Sequence, residues 1–78
     1  MAVGREQLLE TAERALGDLG IKSYTDLHLT FIQKHGTEWR VNFSYTPTMS
    51  WTKTVGCFSV SIQTGEITFT ALDKVWKP

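Results

Sequence analysis

Apolar and polar residues alternate along three successive segments of this chain, and each alternation predicts a β-strand. In residues 39–45, for example, Trp, Val, Phe and Tyr alternate with Arg, Asn and Ser. A period of two gives a strand one buried face and one face towards solvent. Together with an apolar segment that precedes them and the turn residues between them, these patterns predict four strands, at residues 27–33, 39–45, 55–63 and 66–71.

A single amphipathic helix is predicted ahead of the strands. Leucines and alanines from Leu8 to Leu19 recur at helical spacing, and the opposite side of this segment is charged. Gly4 can cap its start and Gly20 can end it in a left-handed conformation, so that the helix spans residues 5–19. The sequence therefore predicts one α+β domain, residues 1–78. In it the helix covers one face of a four-stranded antiparallel meander sheet, a two-layer α-β-β-β-β arrangement.

The same patterns predict which residues form the core between helix and sheet. The predicted buried residues are Leu8, Leu9, Ala12, Leu16, Leu19, Leu29, Phe31, Trp39, Val41, Phe43, Phe58, Val60, Ile62, Ile67 and Phe69. Arg40, Asn42 and Ser44 fall on the opposite, polar face of the sheet, which is expected to face solvent. Gly56 interrupts the third predicted strand and indicates a β-bulge or a bend.

Charge and cysteine content narrow the possible partners and the setting. Eight basic and eight acidic side chains give the 78 residues a formal net charge of zero. Such a chain lacks the basic surface that drives binding to nucleic acid or to anionic membranes, so neither is expected as a partner. A single cysteine, Cys57, excludes an intrachain disulfide, and the first residues contain no signal or membrane helix. If the chain is full length, it is expected to be cytoplasmic.

The side chains that could carry chemistry are few and scattered. His28, His35 and Cys57 lie on different predicted elements, without the paired spacing of a zinc site. The sequence contains no nucleophile elbow, phosphate-binding loop or paired-acid motif. We therefore expect no catalytic residue, no metal and no cofactor, and a protein that is not an enzyme. Cys57 is expected to be structural.

The 48–53 loop between the second and third strands is the best candidate for a binding surface. Met49 and Trp51 lie on it beside Lys53, and tryptophan and methionine are enriched at protein interfaces. Trp51 can instead fold back as a cap over an open edge of the small core, which we favour for Trp51 itself. Trp76 in the C-terminal tail has the same two alternatives. The predicted partner-binding residues are therefore Met49, Trp51, Lys53 and Trp76, and the polar face of the sheet is a second candidate surface.

Two stretches of the chain resemble a PepSY-type domain. They are the tripeptide Trp39-Arg40-Val41 and residues 58–67, in which an alternating strand leads into a Thr-Gly-Glu-Ile hairpin. The resemblance covers residues 5–69. It implies a leading helix, an aromatic-x-Val strand and a role as a protease-inhibiting or regulatory binding domain. The chain departs from the family in lacking an export signal and in its long loop at residues 47–53.

The helix, the Trp-x-Val-x-Phe strand at residues 39–43 and the final strand pair also resemble small bacterial immunity proteins paired with toxins. Phage-encoded anti-defence proteins are similar in size and in lacking enzymatic motifs. Both resemblances imply a non-enzymatic module that binds a protein partner and inhibits or regulates it. The alternative from a different class is a small-ligand carrier or minor enzyme, which requires a convergent polar pocket. The first and last strands are the predicted sheet edges, through which a homodimer can pair.

Overall fold

The computed structural model describes residues 2–78 and has one N-terminal helix packed on a four-stranded antiparallel sheet, as predicted. A 3₁₀ turn at Arg5–Gln7 leads into helix α1, Leu8–Asp18. The strands are β1, Tyr24–His35; β2, Glu38–Pro47; β3, Thr54–Ser61; and β4, Ile67–Leu72. They lie in the sheet in the order of the chain, so that β1 and β4 are its edges. Within residues 2–78, neither helical segment is long and apolar enough to cross a membrane.

Local interactions at both ends explain where the helical region begins and ends. The side-chain oxygen of Gln7 accepts a hydrogen bond from the Gly4 N–H at 2.8 Å, which closes the first turn. At the other end Gly20 has a φ of 81°, and the Ile21 N–H donates to the Leu16 carbonyl at 2.9 Å. This left-handed ending satisfies a carbonyl of the last turn, and it favours a residue without a Cβ.

The helix buries a narrower stripe than the sequence predicts. Its buried residues are Leu8, Thr11, Ala12, Ala15 and Leu16. Leu9 and Leu19, both predicted to be buried, are 43% and 44% exposed, so that this prediction is wrong. Leu9 lies one residue from Leu8, which is about 100° around the helix, and Leu19 lies beyond the last helical residue.

The central strands β2 and β3 supply the sheet side of the core in the predicted alternation. Val41 pairs with Phe58, and Trp39 pairs with Val60. The fully packed cluster consists of Leu8, Ala12, Leu16, Val41, Phe43, Tyr45, Phe58 and Val60. Leu29, Trp39 and Ile67 pack against this cluster and are partly buried, and so is Ile62, just beyond the end of β3.

Two register irregularities turn predicted core residues to the other face of the sheet. In β1, Thr30 is an extra residue between two paired neighbours. Ile32 therefore pairs with Val41 and packs against the core, while Phe31 faces away from the helix. An irregularity in the β3–β4 pairing likewise leaves Phe69 on the far face, 43% exposed. The predictions that Phe31 and Phe69 belong to the core are wrong, because one inserted residue reverses the face of every later residue.

Gly56 lies in regular strand pairing, so a β-bulge at this position, one of the two predicted alternatives, is wrong. The pairing of β2 with β3 continues without a shift past Gly56. A Cβ at this position would lie 2.6 Å from Cζ of Phe43 and 2.8 Å from the carbonyl oxygen of Ala71. The glycine therefore makes room for the phenylalanine ring on the neighbouring strand.

The polar face of the sheet lies on the side away from the helix. It was predicted to face solvent, but part of it is buried. Asn42, Ser44 and Ser59 are buried there. The tail, residues 73–78, covers part of this face through hydrogen bonds made by Trp76. The pairing of β2 with β3 has the predicted alternation, so a covering segment rather than a slipped register accounts for the burial of Asn42.

Candidate functional site

The 48–53 loop joins β2 to β3 and is held by its own hydrogen bonds. The Ser50 N–H donates to the Pro47 carbonyl at 3.1 Å, which closes a turn. The Thr48 N–H donates to the Ser23 carbonyl at 3.4 Å, and the two hydroxyls of this pair are also hydrogen-bonded. The Ser50 hydroxyl donates to the Thr52 carbonyl at 3.1 Å. The loop is therefore tied internally and to the segment before β1, which lowers the entropy that binding would cost.

Met49 and Trp51 are the most exposed apolar side chains of this loop. Met49 is 98% exposed and Trp51 is 100% exposed. Met49 also has a φ of 65°, a left-handed conformation that costs a non-glycine residue about 1 kcal/mol. The interpretation of Trp51 as a cap over the core is therefore wrong, because its side chain buries nothing.

The loop presents one charge together with these two apolar side chains. Lys53 is exposed and is the one charged residue in the 48–53 segment. At the foot of the loop, burial raises the pKa of Tyr45, a hydrogen bond with Thr54 lowers it, and the negative charge of Asp73 raises it. Tyr45 therefore stays neutral near pH 7. The surface of the loop consists of the apolar side chains of Met49 and Trp51 beside the positive charge of Lys53.

Trp76 lies on the polar face of the sheet rather than beside the loop. Its main-chain N–H donates to the Asn42 side-chain oxygen at 2.7 Å, and its main-chain carbonyl accepts from the Asn42 side-chain nitrogen at 3.0 Å. Its indole N–H donates to the Phe58 carbonyl at 3.0 Å. The structure thus brings the three predicted loop residues together, and the fourth contacts its own sheet.

Groups that could carry chemistry are held in separate places. Among the described residues, no three His, Cys, Asp or Glu side chains are grouped so as to hold a metal ion. The His28 ring nitrogens lie 2.9 Å from the Asp26 carbonyl oxygen and 3.0 Å from the Ser44 hydroxyl. Cys57 is 2% exposed, and burial raises the pKa of its thiol while the charge of Lys74 lowers it. A neutral, buried thiol is a poor nucleophile, which fits a structural role.

A shallow groove between α1 and the β3–β4 turn is not indicated by the sequence. Its volume is about 310 Å³, and its lining includes Val3, Thr11 and Arg14. The Arg14 guanidinium donates to the Gly65 carbonyl at 2.6 Å and ties the helix to the turn. No local pattern signals this contact, because its two residues are 51 positions apart.

The contacts of Trp76 with the sheet also escape sequence reasoning. Asn42 is 34 residues from Trp76 in the chain, and on a strand it has the pattern of an ordinary polar-face residue. Comparison with known proteins adds no further guide, since the chain matches no protein-family model, no curated protein and no solved structure. Function is therefore inferred from two surfaces, the 48–53 loop and the polar face of the sheet.

Proposed function

We propose that this protein is a small non-enzymatic module that binds a protein partner through the 48–53 loop and thereby inhibits or regulates it. One observation carries the proposal: Met49 and Trp51 are 98% and 100% exposed on a loop whose backbone is tied down. A single exposed apolar side chain is ordinary on a protein surface. A fully exposed tryptophan two residues from a fully exposed methionine is instead the composition found at interface hot spots.

The energy available from this surface suits specific binding. Burying a tryptophan removes roughly 200 Å² from water, which corresponds to about 5 kcal/mol at 25 cal/mol per Å². Ordering of side chains offsets part of that gain, but the hydrogen bonds of the loop limit the backbone share of the cost. Lys53 at the edge of the surface favours a partner with negative charge around its pocket.

A loop that presents two large apolar side chains fits a concave surface such as the mouth of an active site. Occlusion of such a site is one way in which a small binding module inhibits an enzyme, and the sequence resemblances to PepSY-type and immunity proteins imply a function of this class. A phage-encoded anti-defence inhibitor would use the same kind of contact. The neighbouring genes distinguish these subclasses. A protease inhibitor predicts a protease gene beside it, an immunity protein predicts a toxin gene, and an anti-defence protein predicts a phage operon.

The test uses the full chain as bait in a host lysate, followed by titration of the captured protein. Trp51→Ala is expected to weaken binding at least on the order of thirtyfold, the loss of about 2 kcal/mol typical of hot-spot residues. It should leave the melting temperature unchanged, because the indole contacts nothing in the fold. Leu9→Ala, on the outer side of α1, is the matched control and should bind as the wild type does.

Two results would contradict the proposal. The first is an affinity for the captured protein that Trp51→Ala does not change, which would remove the loop from the interface. The second is a bait that retains no protein but co-purifies a small molecule, which would favour the ligand-carrier alternative.

A further inference from the structure

The tail docks on the polar face of the sheet in the manner of a bound peptide. Both main-chain groups of Trp76 are hydrogen-bonded to the side-chain amide of Asn42, at 2.7 and 3.0 Å. An amide paired in this way with one residue's N–H and C=O recognises an extended main chain whatever its sequence. With the tail in place Asn42 is only 6% exposed, and these two hydrogen bonds replace those that its amide would otherwise make with water.

The surroundings of the indole add selectivity for tryptophan. Its N–H donates to the Phe58 carbonyl at 3.0 Å, which a phenylalanine ring could not do. The Arg40 guanidinium carbon lies 4.5 Å from the ring centroid of Trp76, within the range of a cation–π contact. Phe69 packs on the same ring at 5.6 Å between centroids. This packing explains why an aromatic side chain of β4 faces away from the core.

The tail leaves part of this site unsatisfied. Within residues 2–78, Nε of Arg40 is a buried polar atom without a hydrogen-bond partner. Val75 and Lys77, on either side of Trp76, are exposed, and neither carries a carboxylate that could accept from this guanidinium. A carboxylate on the bound segment would offer Arg40 an acceptor and the opposite charge. The site therefore suits a segment with a tryptophan and a nearby carboxylate better than it suits the tail.

Besides Trp76, the tail is held where it leaves β4, by a hydrogen bond from the Asp73 N–H to the Val55 carbonyl at 2.8 Å. Asp73 has a φ of 59°, a left-handed conformation that favours glycine. Val75 is 48% exposed, and no residue of the tail belongs to a strand. Segments with so few buried contacts open at free energies well below that of global unfolding.

We propose that the polar face of the sheet is a binding site for an extended segment of another protein that carries a tryptophan and a nearby acidic residue. Asn42 binds the main chain of this segment, the Phe58 carbonyl and Arg40 bind its indole, and Arg40 also pairs with its acidic group. The tail is the intramolecular competitor that fills the site until such a segment displaces it. This site is separate from the 48–53 loop and does not depend on the role proposed for it.

The test uses the 78-residue Trp76→Ala chain, whose tail lacks its anchor, and a fluorescent synthetic peptide of residues 71–78 as the probe. Anisotropy titration should show binding to this variant and binding on the order of tenfold weaker to the wild type. The difference arises because the tethered tail competes at an effective concentration of roughly millimolar order. A peptide with Lys77→Glu should bind several times more tightly than the native one, and a peptide with Trp76→Ala should not bind.

Matched variants separate recognition from general exposure of the sheet. Val75→Ala keeps the indole in place, and its chain should behave as the wild type does. Adding Asn42→Ala to the Trp76→Ala chain should abolish peptide binding. A Trp76→Ala chain with native circular dichroism that binds no peptide at about 1 mM would overturn the proposal. If the wild type is a dimer that Trp76→Ala makes monomeric, the occupant is the tail of a second copy, and assignment to another protein is overturned.

Hydrogen exchange of the wild type decides the matter if Trp76→Ala fails to fold. The Trp76 N–H should exchange by local opening, much faster than the Val41 N–H in the centre of the sheet and with little response to low urea. A Trp76 N–H that exchanges only on global unfolding would make the tail a fixed part of the fold and would overturn the competitor role.

Discussion

Close fits between single side chains decide which substitutions this small core accepts. The ring of Phe43 lies 6.0 Å from that of Phe58 and 6.2 Å from that of Tyr45, measured between centroids. Its outer edge occupies the space above Gly56, where a side chain would otherwise begin. Since cores are packed about as densely as organic crystals, no neighbour can move aside without cost.

Gly56→Ala is expected to lower the free energy of unfolding by about 1–3 kcal/mol, because the added methyl overlaps the Phe43 ring and a backbone oxygen. Urea denaturation followed by circular dichroism measures the change. Gly17→Ala is the matched control, since a Cβ there meets nothing within 4 Å. Because alanine favours the helix more than glycine does, this control should gain up to about 1 kcal/mol. Equal stabilities for the two variants would contradict the packing argument.

Strand β4 and the tail together determine how the polar face of the sheet is covered. The register irregularity in β4 places Phe69 and Thr68 on that face. The Thr68 hydroxyl donates to the Glu38 carboxylate at 2.6 Å and is paired with the Ser59 hydroxyl at 2.7 Å. The tail then returns over the sheet, and Trp76 packs on Phe69. A sheet face whose polar residues predict exposure to solvent is thereby partly covered by the tail.

Trp76→Ala should cost about 2 kcal/mol of stability, since it removes the indole hydrogen bond, the cation–π contact with Arg40 and the packing on Phe69. Thermal melts and urea titrations of the same preparations measure it. Trp51→Ala, which removes the same side chain from a fully exposed position, should leave the melting temperature unchanged. A larger loss of stability for Trp51→Ala than for Trp76→Ala would mean that the indole of Trp51, rather than that of Trp76, is packed against the fold in solution.

For the molecule as a whole, one modest core supports a sheet with two open edges. The core cluster lies between α1 and the central strands, while β1 contributes only partly buried side chains to it. A domain of this size is expected to have a stability near the low end of the usual range, about 5 kcal/mol. Small changes in the ionisation of buried groups are therefore measurable in its overall stability.

Stability should fall as the pH rises above the ordinary thiol pKa of about 8.5. Burial raises the pKa of Cys57 in the native state, whereas the unfolded chain ionises near the ordinary thiol value of about 8.5. Above that pH the unfolded state binds fewer protons than the native state, so alkali favours unfolding. Tyr45, whose pKa is raised mainly by burial, adds to this trend above about pH 10.

Urea titrations at a series of pH values measure the trend, with Cys57→Ala as the control. The variant should lose the decline that begins near pH 8.5, whatever its absolute stability. An identical slope in both chains would show that the thiol is not the responsible group.

Self-association through an edge strand is a prediction that the sequence makes and that solution measurements can test. β1 has two register irregularities and β4 is only six residues long, and both features weaken edge pairing. We therefore expect a weak dimer that light scattering detects only at several hundred micromolar or above, a dissociation constant of roughly millimolar order. A monomer mass throughout that range would remove the dimer.

The sequence was sufficient to identify the candidate loop, but it did not show whether Trp51 on that loop is exposed or packed on the core. A loop with Met49, Trp51 and Lys53 between two patterned strands indicates a surface feature from composition alone. Whether Trp51 packs on the core depends on the turn that Ser50 closes with Pro47 and on the left-handed Met49. Such hydrogen bonds and backbone angles join residues in three dimensions, and residue types alone do not specify them.

By itself the sequence determined the helix, the four strands, their meander order and the inner face of β2. These follow from periodicity, because a strand that pairs residue for residue must keep every second side chain on one side. The tertiary structure decided where that rule is interrupted. Phe31 and Ile32 are adjacent and both apolar, so either could face the helix, and only the extra residue at Thr30 selects Ile32. The cover of the polar face was likewise decided by contacts between residues 34 positions apart, which no local pattern encodes.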